Sequence, residues 1–276
     1  MTDASTTPRP ALRLTIDDGV AIVTLDRPDK LNSLNPELVC RLADAWDAIA
    51  GEPEVRVAIV TGAGDRAFCT GADLGRLIPL FTRARPAADE WDERLLSDHT
   101  LLDRALLRRT DFTVPVLAAV RGFALAGGTE LMLGTDLRIA ADDSEFGLTE
   151  VSRGIIPGGG GLSRLARQVP WSRAAEIVLV GDRIDARTAL DIGLVNRIVP
   201  ADDVMDIAMQ FARRMARNGP LAMRAAKEVM VTSNGLPLDE AFTIESRVAG
   251  RVMRSADAIE GPRAFIEKRE PRFTGT

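Results

Sequence analysis

Short runs of Val, Ile, Leu and Ala alternate along much of the chain with stretches in which apolar residues recur at every third or fourth position. The short runs predict strands, because brief apolar runs bounded by turn residues are typical of a buried sheet. They lie at residues 12–16, 20–25, 55–61, 116–120 and 194–199, and another short strand follows Asp136. Asp17-Asp18-Gly19, between the first two runs, predicts a hairpin turn.

The helical pattern is clearest after Asn35. Asn35-Pro36-Glu37 combines a cap residue, a first-turn proline and a first-turn acid, which together favour a helix start. Apolar residues at helical spacing then predict one buried face, formed by Leu38, Val39, Leu42, Trp46 and Ile49. Helices are also expected at residues 162–169, 172–180 and 182–192, and only helical patterns remain after residue 201, at 203–218, 221–233, 237–253 and 256–268.

Strand-and-helix units followed by helices alone predict an α/β protein. We expect a flexible tail at residues 1–10, an α/β core at 11–200 and a helical region at 201–276. Residues 74–111 are more charged and less regular, and they predict two helical pieces joined by a loop that acts as a mobile lid.

Composition excludes several classes of function. The net charge of −5 provides no basic surface for nucleic acid, and no apolar run approaches the roughly 20 residues that span a bilayer. Two cysteines, Cys40 and Cys69, predict no disulfide framework and fit a reducing compartment. The polar N-terminus has no signal-peptide core. We therefore expect a cytoplasmic protein with neither nucleic acid nor a membrane as a partner.

Acid–base chemistry in this chain falls to carboxylates. The only histidine is His99, in a charged stretch, and there is no tyrosine. A single histidine cannot build a His-based metal site, so no metal is predicted.

The residues that indicate catalytic chemistry lie between positions 121 and 165. The strand at 116–120 runs into a glycine-broken turn, and a helix begins at Gly127 or Gly128. The first amides of a helix have no internal acceptor, and they favour a negative charge at that end. Glu130 lies in the same first turn, and Glu150 follows twenty residues later. Anion-stabilising amides with two carboxylates indicate proton chemistry beside a carbonyl group.

Each of these signals also has a purely structural interpretation. A glycine pair is common in tight turns, and a first-turn glutamate such as Glu130 often faces water. Gly71, between a strand and a helix, either aims a second amide at a ligand or simply permits the turn. The glycines at 158–161 lack the Lys-Ser/Thr ending of a phosphate loop, so a close-packing turn is predicted there.

Several motifs in one order resemble the enoyl-CoA hydratase/isomerase family, the crotonase superfamily. These motifs are Arg27-Pro-Asp-Lys-Leu-Asn32, Ala67-Phe-Cys-Thr-Gly-Ala-Asp-Leu74, Gly122-Phe-Ala-Leu-Ala-Gly-Gly-Thr-Glu130, Phe146-Gly-Leu-Thr-Glu150, Ile156-Pro-Gly158 and Ala264-Phe-Ile-Glu-Lys-Arg269. The resemblance implies a crotonase-like spiral of ββα units with a C-terminal helical region that builds a homotrimer, or a hexamer of two trimers.

The resemblance also assigns a site. It implies an acyl-CoA thioester as substrate, with coenzyme A as part of that substrate and no separate cofactor. The amides of Ala72 and Gly127 would form the oxyanion hole. The expected CoA-binding residues are Lys30, Leu31, Thr70, Gly71, Asp73 and Leu74, with Phe265 and Lys268 at the rim.

The two glutamates select the branch of the family. Hydratases of this type use two, matching Glu130 as the base for water and Glu150 for the α-proton, and such hydration is a step of fatty-acid β-oxidation. Double-bond isomerases keep only the equivalent of Glu150, so the presence of Glu130 argues against them. Dienoyl isomerases have an aspartate at the position where this chain has Gly158. Branches that use a catalytic tyrosine are excluded because this chain contains no tyrosine. A carnitinyl-CoA-like dehydratase and a non-catalytic acyl-CoA-binding scaffold stay open.

The acyl group cannot be chosen from these motifs. Residues 74–111 form a longer segment than the one that lines the acyl pocket in short-chain hydratases. Trp91, Leu95 and Leu101 either shape that pocket or pack in the core, and packing is the favoured interpretation.

Overall fold

The computed structural model describes residues 9–276, so most of the predicted tail lies outside the described residues. Ten strands follow one another as β1 (Leu12–Asp17), β2 (Val20–Leu25), β3 (Val57–Gly62), β4 (Ala67–Cys69), β5 (Val116–Val120), β6 (Phe123–Leu125), β7 (Leu137–Ala141), β8 (Glu145–Gly147), β9 (Ile184–Asp185) and β10 (Arg197–Val199). The helices are α1 (Pro36–Gly51), α2 (Leu77–Phe81), α3 (Glu90–Ser97), α4 (Leu101–Ala105), α5 (Gly127–Leu133), α6 (Gly161–Gln168), α7 (Trp171–Val180), α8 (Ala186–Asp191), α9 (Val204–Ala216), α10 (Pro220–Thr232), α11 (Leu238–Val252) and α12 (Ala256–Ile266).

The strands form two sheets. The larger one has the order β1-β2-β3-β5-β7-β10 and is parallel except for the β1–β2 hairpin. The smaller one has the order β4-β6-β8-β9. Successive strand pairs β3–β4, β5–β6 and β7–β8 each supply one strand to each sheet before the chain enters a helix. The α/β fold with a spiral of ββα units is therefore confirmed.

The larger sheet is buried on both faces, which explains its continuous apolar strands. One set of alternating side chains, including Val57, Ile59 and Leu117, packs against α9. The opposite set, including Val60 and Ala118, joins the main core under α1 and the smaller sheet.

Helix α1 forms as its sequence predicts. The Asn35 side chain accepts a hydrogen bond from the Leu38 amide at 3.0 Å, and Pro36 occupies the first turn. All five predicted face residues are fully buried. The indole of Trp46, one of them, donates to the Ala105 carbonyl at 3.0 Å, which ties α1 to α4.

Residues 74–111 differ from the prediction, because they contain three short helices, α2, α3 and α4, rather than two. Trp91 packs against the core from α3, and Leu95 and Leu101 are buried in it, so the packing interpretation of these residues is confirmed. The predicted strand at 194–199 is also shorter, because the Leu194 and Val195 amides both donate to the Ala189 carbonyl in a turn.

The predicted C-terminal helices are present. Helix α9 covers the large sheet, while α10 and α11 pack on each other. Among residues 9–276, no helix combines the length and apolar character needed to cross a bilayer.

Candidate active site

A cleft of about 850 Å³ opens between the N-terminal end of α5 and the segments around it. Residues from six parts of the chain line it: 30–34, 70–82, 102–106, 123–130, 149–159 and 180–183. Both predicted carboxylates and both predicted oxyanion residues lie in this wall: Glu130, Glu150, Ala72 and Gly127. The structure thus brings together residues that are far apart in the sequence.

The turn before α5 directs the Gly127 amide into the cleft. Ala126 has φ +51° and ψ −125°, a conformation that costs a non-glycine residue about 1–3 kcal/mol and that is typical of functional sites. Gly127 is the first residue of α5, and its amide has no hydrogen-bond acceptor within residues 9–276. Gly128 has no room for a side chain, because a Cβ there would lie 2.0 Å from the Cys69 carbonyl oxygen. The helix start is therefore packed directly on β4.

The Ala72 amide reaches the same place from the other side. Leu34 and Ala72 form a parallel bridge, in which the Leu34 amide donates to the Gly71 carbonyl at 2.8 Å and the Asp73 amide donates to the Leu34 carbonyl at 2.9 Å. The neighbours of Ala72 therefore make these bonds, and its own amide faces away from Leu34. That amide also has no acceptor in the described part of the chain.

Gly71 allows the two turns to touch. It has φ +86°, and a Cβ on it would lie 2.6 Å from the Ala126 Cβ and 2.8 Å from the Gly127 nitrogen. Only a residue without a side chain fits there. The turns at Gly71 and Ala126 are therefore in direct contact beside one cleft, and the binding of a ligand by their amides stays a prediction.

Glu130 is a buried carboxylate held by a glycine turn. Its Oε1 accepts hydrogen bonds from the Gly159 amide at 2.7 Å and the Gly161 amide at 2.8 Å. Burial raises the pKa of Glu130, while the two amides act in the opposite direction because they favour the ionised form. The close-packing turn at 158–161 is present, since a Cβ on Gly159 would lie 2.1 Å from the Leu106 Cδ1. Its second role, holding Glu130, was not foreseen from the sequence.

Glu150 has a different environment. It begins a short 3-10 turn, Glu150–Arg153, and its Oε2 is buried with no hydrogen-bond partner in residues 9–276. Burial raises the pKa of Glu150 to about 7, and the nearby charge of Glu130 acts in the same direction. Near neutral pH this carboxyl is therefore available both as an acid and as a base, whereas Glu130 differs from it in having two amide hydrogen bonds that favour its ionised form against the effect of burial.

Most of the predicted CoA-binding residues border the cleft. Lys30, Leu31, Thr70, Asp73 and Leu74 line it, and Gly71 lies directly behind the Gly127 amide. The Asp73 carboxylate is occupied by Arg27 at 3.0 Å and by the Gly75 and Arg76 amides. The side chain of Asp73 thus builds the turn, which leaves the backbone to face a ligand.

Phe265 and Lys268 are not part of this wall. Phe265 lies on α12 with 84% of its surface exposed, and Lys268 follows the same helix in an exposed position. Residues that the sequence did not point to include Phe81, Leu106 and Arg153. They carry no local motif, and only the fold brings them to the cleft.

The comparisons with known proteins agree with this geometry. A sequence model of the family described as enoyl-CoA hydratase/isomerase matches residues 15–276. The enoyl-CoA hydratase EchA19 of Mycobacterium tuberculosis is 37% identical over 252 residues, which cover 91% of this chain and 92% of that protein. The (E)-benzylidenesuccinyl-CoA hydratase of Thauera aromatica is 34% identical over 95% of this chain and 98% of its own length. The carnitinyl-CoA dehydratase of Escherichia coli is 36% identical over 96% of this chain and 98% of its own length.

Solved structures show the same fold. The crystal structure of an enoyl-CoA hydratase from Mycobacterium tuberculosis superposes with a TM-score of 0.86 at 39% identity and covers 97% of this chain and all of that one. Fold and site define an α/β protein of the crotonase class, with two convergent amides and two buried carboxylates. The chain belongs to the enoyl-CoA hydratase/isomerase family.

Proposed function

We propose that the protein catalyses the reversible syn addition of water to the α,β double bond of a 2-enoyl-CoA thioester. The observation that carries this proposal is that Glu130, Glu150 and the unpaired amides of Ala72 and Gly127 share one cleft. Isomerisation of a double bond needs one acid–base group, and a second buried carboxylate favours the activation of water.

The two amides hold the thioester oxygen. As water adds to the β-carbon, negative charge moves onto that oxygen, and the preorganised donors of Ala72 and Gly127 stabilise it. Loss of one such donor typically raises a barrier by about 3–4 kcal/mol. The positive end of α5 adds to the same effect, because Gly127 is its first residue.

The carboxylates divide the proton transfers according to their environments. Glu130 accepts two amide hydrogen bonds on Oε1, which leaves Oε2 to take the proton from the attacking water. Glu150, with its pKa raised to about 7, delivers a proton to the α-carbon in its neutral form. In the reverse direction the same groups exchange roles, so the site also fits dehydration of a 3-hydroxyacyl-CoA. The dehydratase name of the Escherichia coli relative favours this second direction as a candidate.

The proposal is tested by an assay of crotonyl-CoA hydration, in which the loss of the enone absorbance of the substrate is recorded. The wild type should be active, and Glu130→Gln and Glu150→Gln should each lose roughly 10²- to 10⁴-fold in kcat. Glu176→Gln is the matched control, because this exposed carboxylate of α7 lies outside the cleft and pairs with Arg173, which is also outside it. Full activity in both cleft variants would refute the acid–base assignment. A wild type that hydrates no 2-enoyl-CoA of any chain length would instead leave the acyl-CoA-binding scaffold as the function.

A further inference from the structure

The acyl side of the cleft is bounded by apolar residues of α2 and α4. Leu106 lies beside the catalytic carboxyl, because the space next to Gly159 is shared by the Leu106 Cδ1 and by Glu130 Oε2. Leu102, one turn earlier, also lines the cleft. Ile78 and Phe81 of α2 face it as well, while Leu77 and Leu80 anchor that helix in the core. An acyl chain whose thioester oxygen is bound at the Ala72 and Gly127 amides would therefore meet an apolar wall in this cleft.

Helix α2 has only five residues, so its own hydrogen bonds do not hold it firmly. The turn that follows it, residues 82–89, is folded around the guanidinium of Arg85. Arg85 donates to the Arg76 carbonyl from Nε at 3.0 Å and from Nη2 at 2.7 Å. Its Nη1 also donates to the Pro86 carbonyl at 3.0 Å. Arg85 thus connects the residue just before α2 to the turn just after it.

Asp92 completes this arrangement from α3. Its side chain is fully buried and accepts hydrogen bonds from both terminal nitrogens of Arg85, at 2.5 and 2.8 Å. The Ala88 amide donates to the same carboxylate at 2.9 Å, and Arg76 approaches it to 3.5 Å. These hydrogen bonds, above all those from Arg85, lower the pKa of Asp92 to about 2.

An ion pair with two contacts and a fully buried carboxylate holds one geometry, because loss of the guanidinium, which is 18% exposed, would leave the buried Asp92 without its main charge partner. One other ion pair of α3 differs from it and offers a comparison. Arg94 makes a two-point pair with Asp44 of α1, but both side chains are partly exposed and neither contacts α2 or its turn. The pair of Arg85 and Asp92 contacts the residue before α2 and the turn after it, whereas the pair of Arg94 and Asp44 contacts neither.

We propose that Arg85 and Asp92 are positioning residues that hold α2 as the wall of the acyl pocket and thereby set selectivity for acyl-chain length. This inference rests on the proposed function of the cleft as an acyl-CoA site. Acyl groups of four carbons stay near the oxyanion hole and Leu106. Longer acyl groups reach Ile78 and Phe81, so only they depend on the position of α2.

The test uses Arg85→Lys and Asp92→Asn, with Arg94→Lys as the control. Arg85→Lys keeps the charge and loses the two-point contact, so it carries the test if Asp92→Asn fails to fold. Binding of the saturated butyryl-CoA and dodecanoyl-CoA is measured by calorimetry, and kcat and KM are measured for the corresponding 2-enoyl-CoA esters. In each of the two variants we expect about a tenfold loss of affinity for the twelve-carbon ligand, which is the effect of exposing about two methylene groups, with a raised KM and little change in kcat. The four-carbon ligand and the control should change by less than about twofold.

An unchanged ratio of long- to short-chain affinity in both variants would overturn the inference, as would equal losses for the two ligands. The calorimetric binding measurements distinguish failure of this inference from failure of the proposed function. Binding that follows the expected pattern without any turnover would reject hydration and keep the positioning role. A wild type that binds neither ligand would reject both.

Discussion

The raised pKa of the Glu150 carboxyl, which suits its proposed role in proton transfer, lowers the stability of the folded protein at high pH. Its pKa rises from 4.5 to about 7 on folding, chiefly because burial disfavours the ionised form, and its Oε2 has no partner in the described part of the chain. Below pH 4.5 the group is protonated in both the folded and unfolded states, so it has no effect there. As pH rises from 4.5 through about 7, the unfolded state releases its proton before the folded state does, so stability is lost over this range and the loss is complete above it.

Replacement of Glu150 by glutamine should therefore stabilise the protein at high pH. The shift in pKa corresponds to about 3 kcal/mol, an upper limit, at pH 8 and above. The free energy of unfolding, measured in urea at pH 4.5 and pH 8, should differ between wild type and Glu150→Gln only at the higher pH. An equal difference at both values would mean that the charge is not responsible.

The same titration predicts the pH dependence of the reaction. Hydration requires Glu150 in its protonated form, so kcat/KM for hydration should fall as pH rises through about 7. Dehydration of a 3-hydroxyacyl-CoA uses the same pair of carboxyls with the single proton on Glu130 instead of Glu150. Because the overall reaction releases no proton, kcat/KM for dehydration should fall over the same pH range and keep a constant ratio to the value for hydration. Rates measured in both directions from pH 5 to 9 check this, and a flat profile between pH 6 and 8 in both directions would contradict the assignment.

At the scale of elements, the site depends on contact between two turns. The turn at Gly71 and the turn at Ala126 meet with no space for a side chain. Gly71→Ala forces them apart and places alanine at φ +86°, so the Ala72 and Gly127 amides no longer face one atom. We expect a loss of roughly 10²- to 10³-fold in kcat, as for the loss of an oxyanion donor.

Gly51→Ala is the matched control for that variant, because a Cβ there meets nothing within 4 Å. Both variants are assayed on the best enoyl-CoA substrate, with thermal unfolding recorded for each. Equal activity in the two variants would show that the contact at Gly71 has no role in catalysis.

Local signals in the sequence were sufficient for some of these elements. Helix α1 was predictable because its cap, its proline and its apolar face agree, and the long strands of the large sheet were predictable because both their faces are buried. The strands of the small sheet have only two or three residues, too few to show a period.

The site was predictable only in part, for the same reason. Glu130 and the turn before α5 carry a local motif, but the amides that hold Glu130 come from Gly159 and Gly161, about thirty residues later in the sequence. The ion pair of Arg85 and Asp92 joins two segments that have no motif at all. Such contacts follow from the tertiary fold, and no pattern in a short window predicts them. The catalytic roles of the site residues, the participation of the protein in β-oxidation and its cytoplasmic location stay predictions.

At the scale of the whole molecule, the C-terminal helices expose many large apolar side chains. Seven of them, on α10 to α12 and the residue after α11, are more than half exposed: Met230, Leu238, Phe242, Met253, Ile259, Phe265 and Ile266. Exposed apolar surface of this extent is typical of an interface. It fits the trimer or hexamer that the resemblance implies, and an acyl-CoA rim formed by Phe265 and Lys268 would then belong to the assembly.

We expect a mass in solution of three or six times the 29.8 kDa chain, measured by light scattering after size exclusion. Phe265→Glu together with Ile266→Glu should dissociate the assembly, because two charges would be buried in its interface. Arg217→Glu, a charge change on an exposed polar residue between α9 and α10, is the control. A wild type that remains monomeric at assay concentration would contradict the predicted assembly.

The most direct test of the central claim is a crystal structure of Glu130→Gln bound to a 3-hydroxyacyl-CoA. We predict that the thioester oxygen lies within about 2.7–3.1 Å of both the Ala72 and Gly127 nitrogens. We also predict that the Glu150 carboxyl faces the α-carbon and that the amide side chain introduced at position 130 faces the 3-hydroxyl. A thioester oxygen bound away from either backbone amide, or an acyl group directed out of the cleft, would contradict the claim.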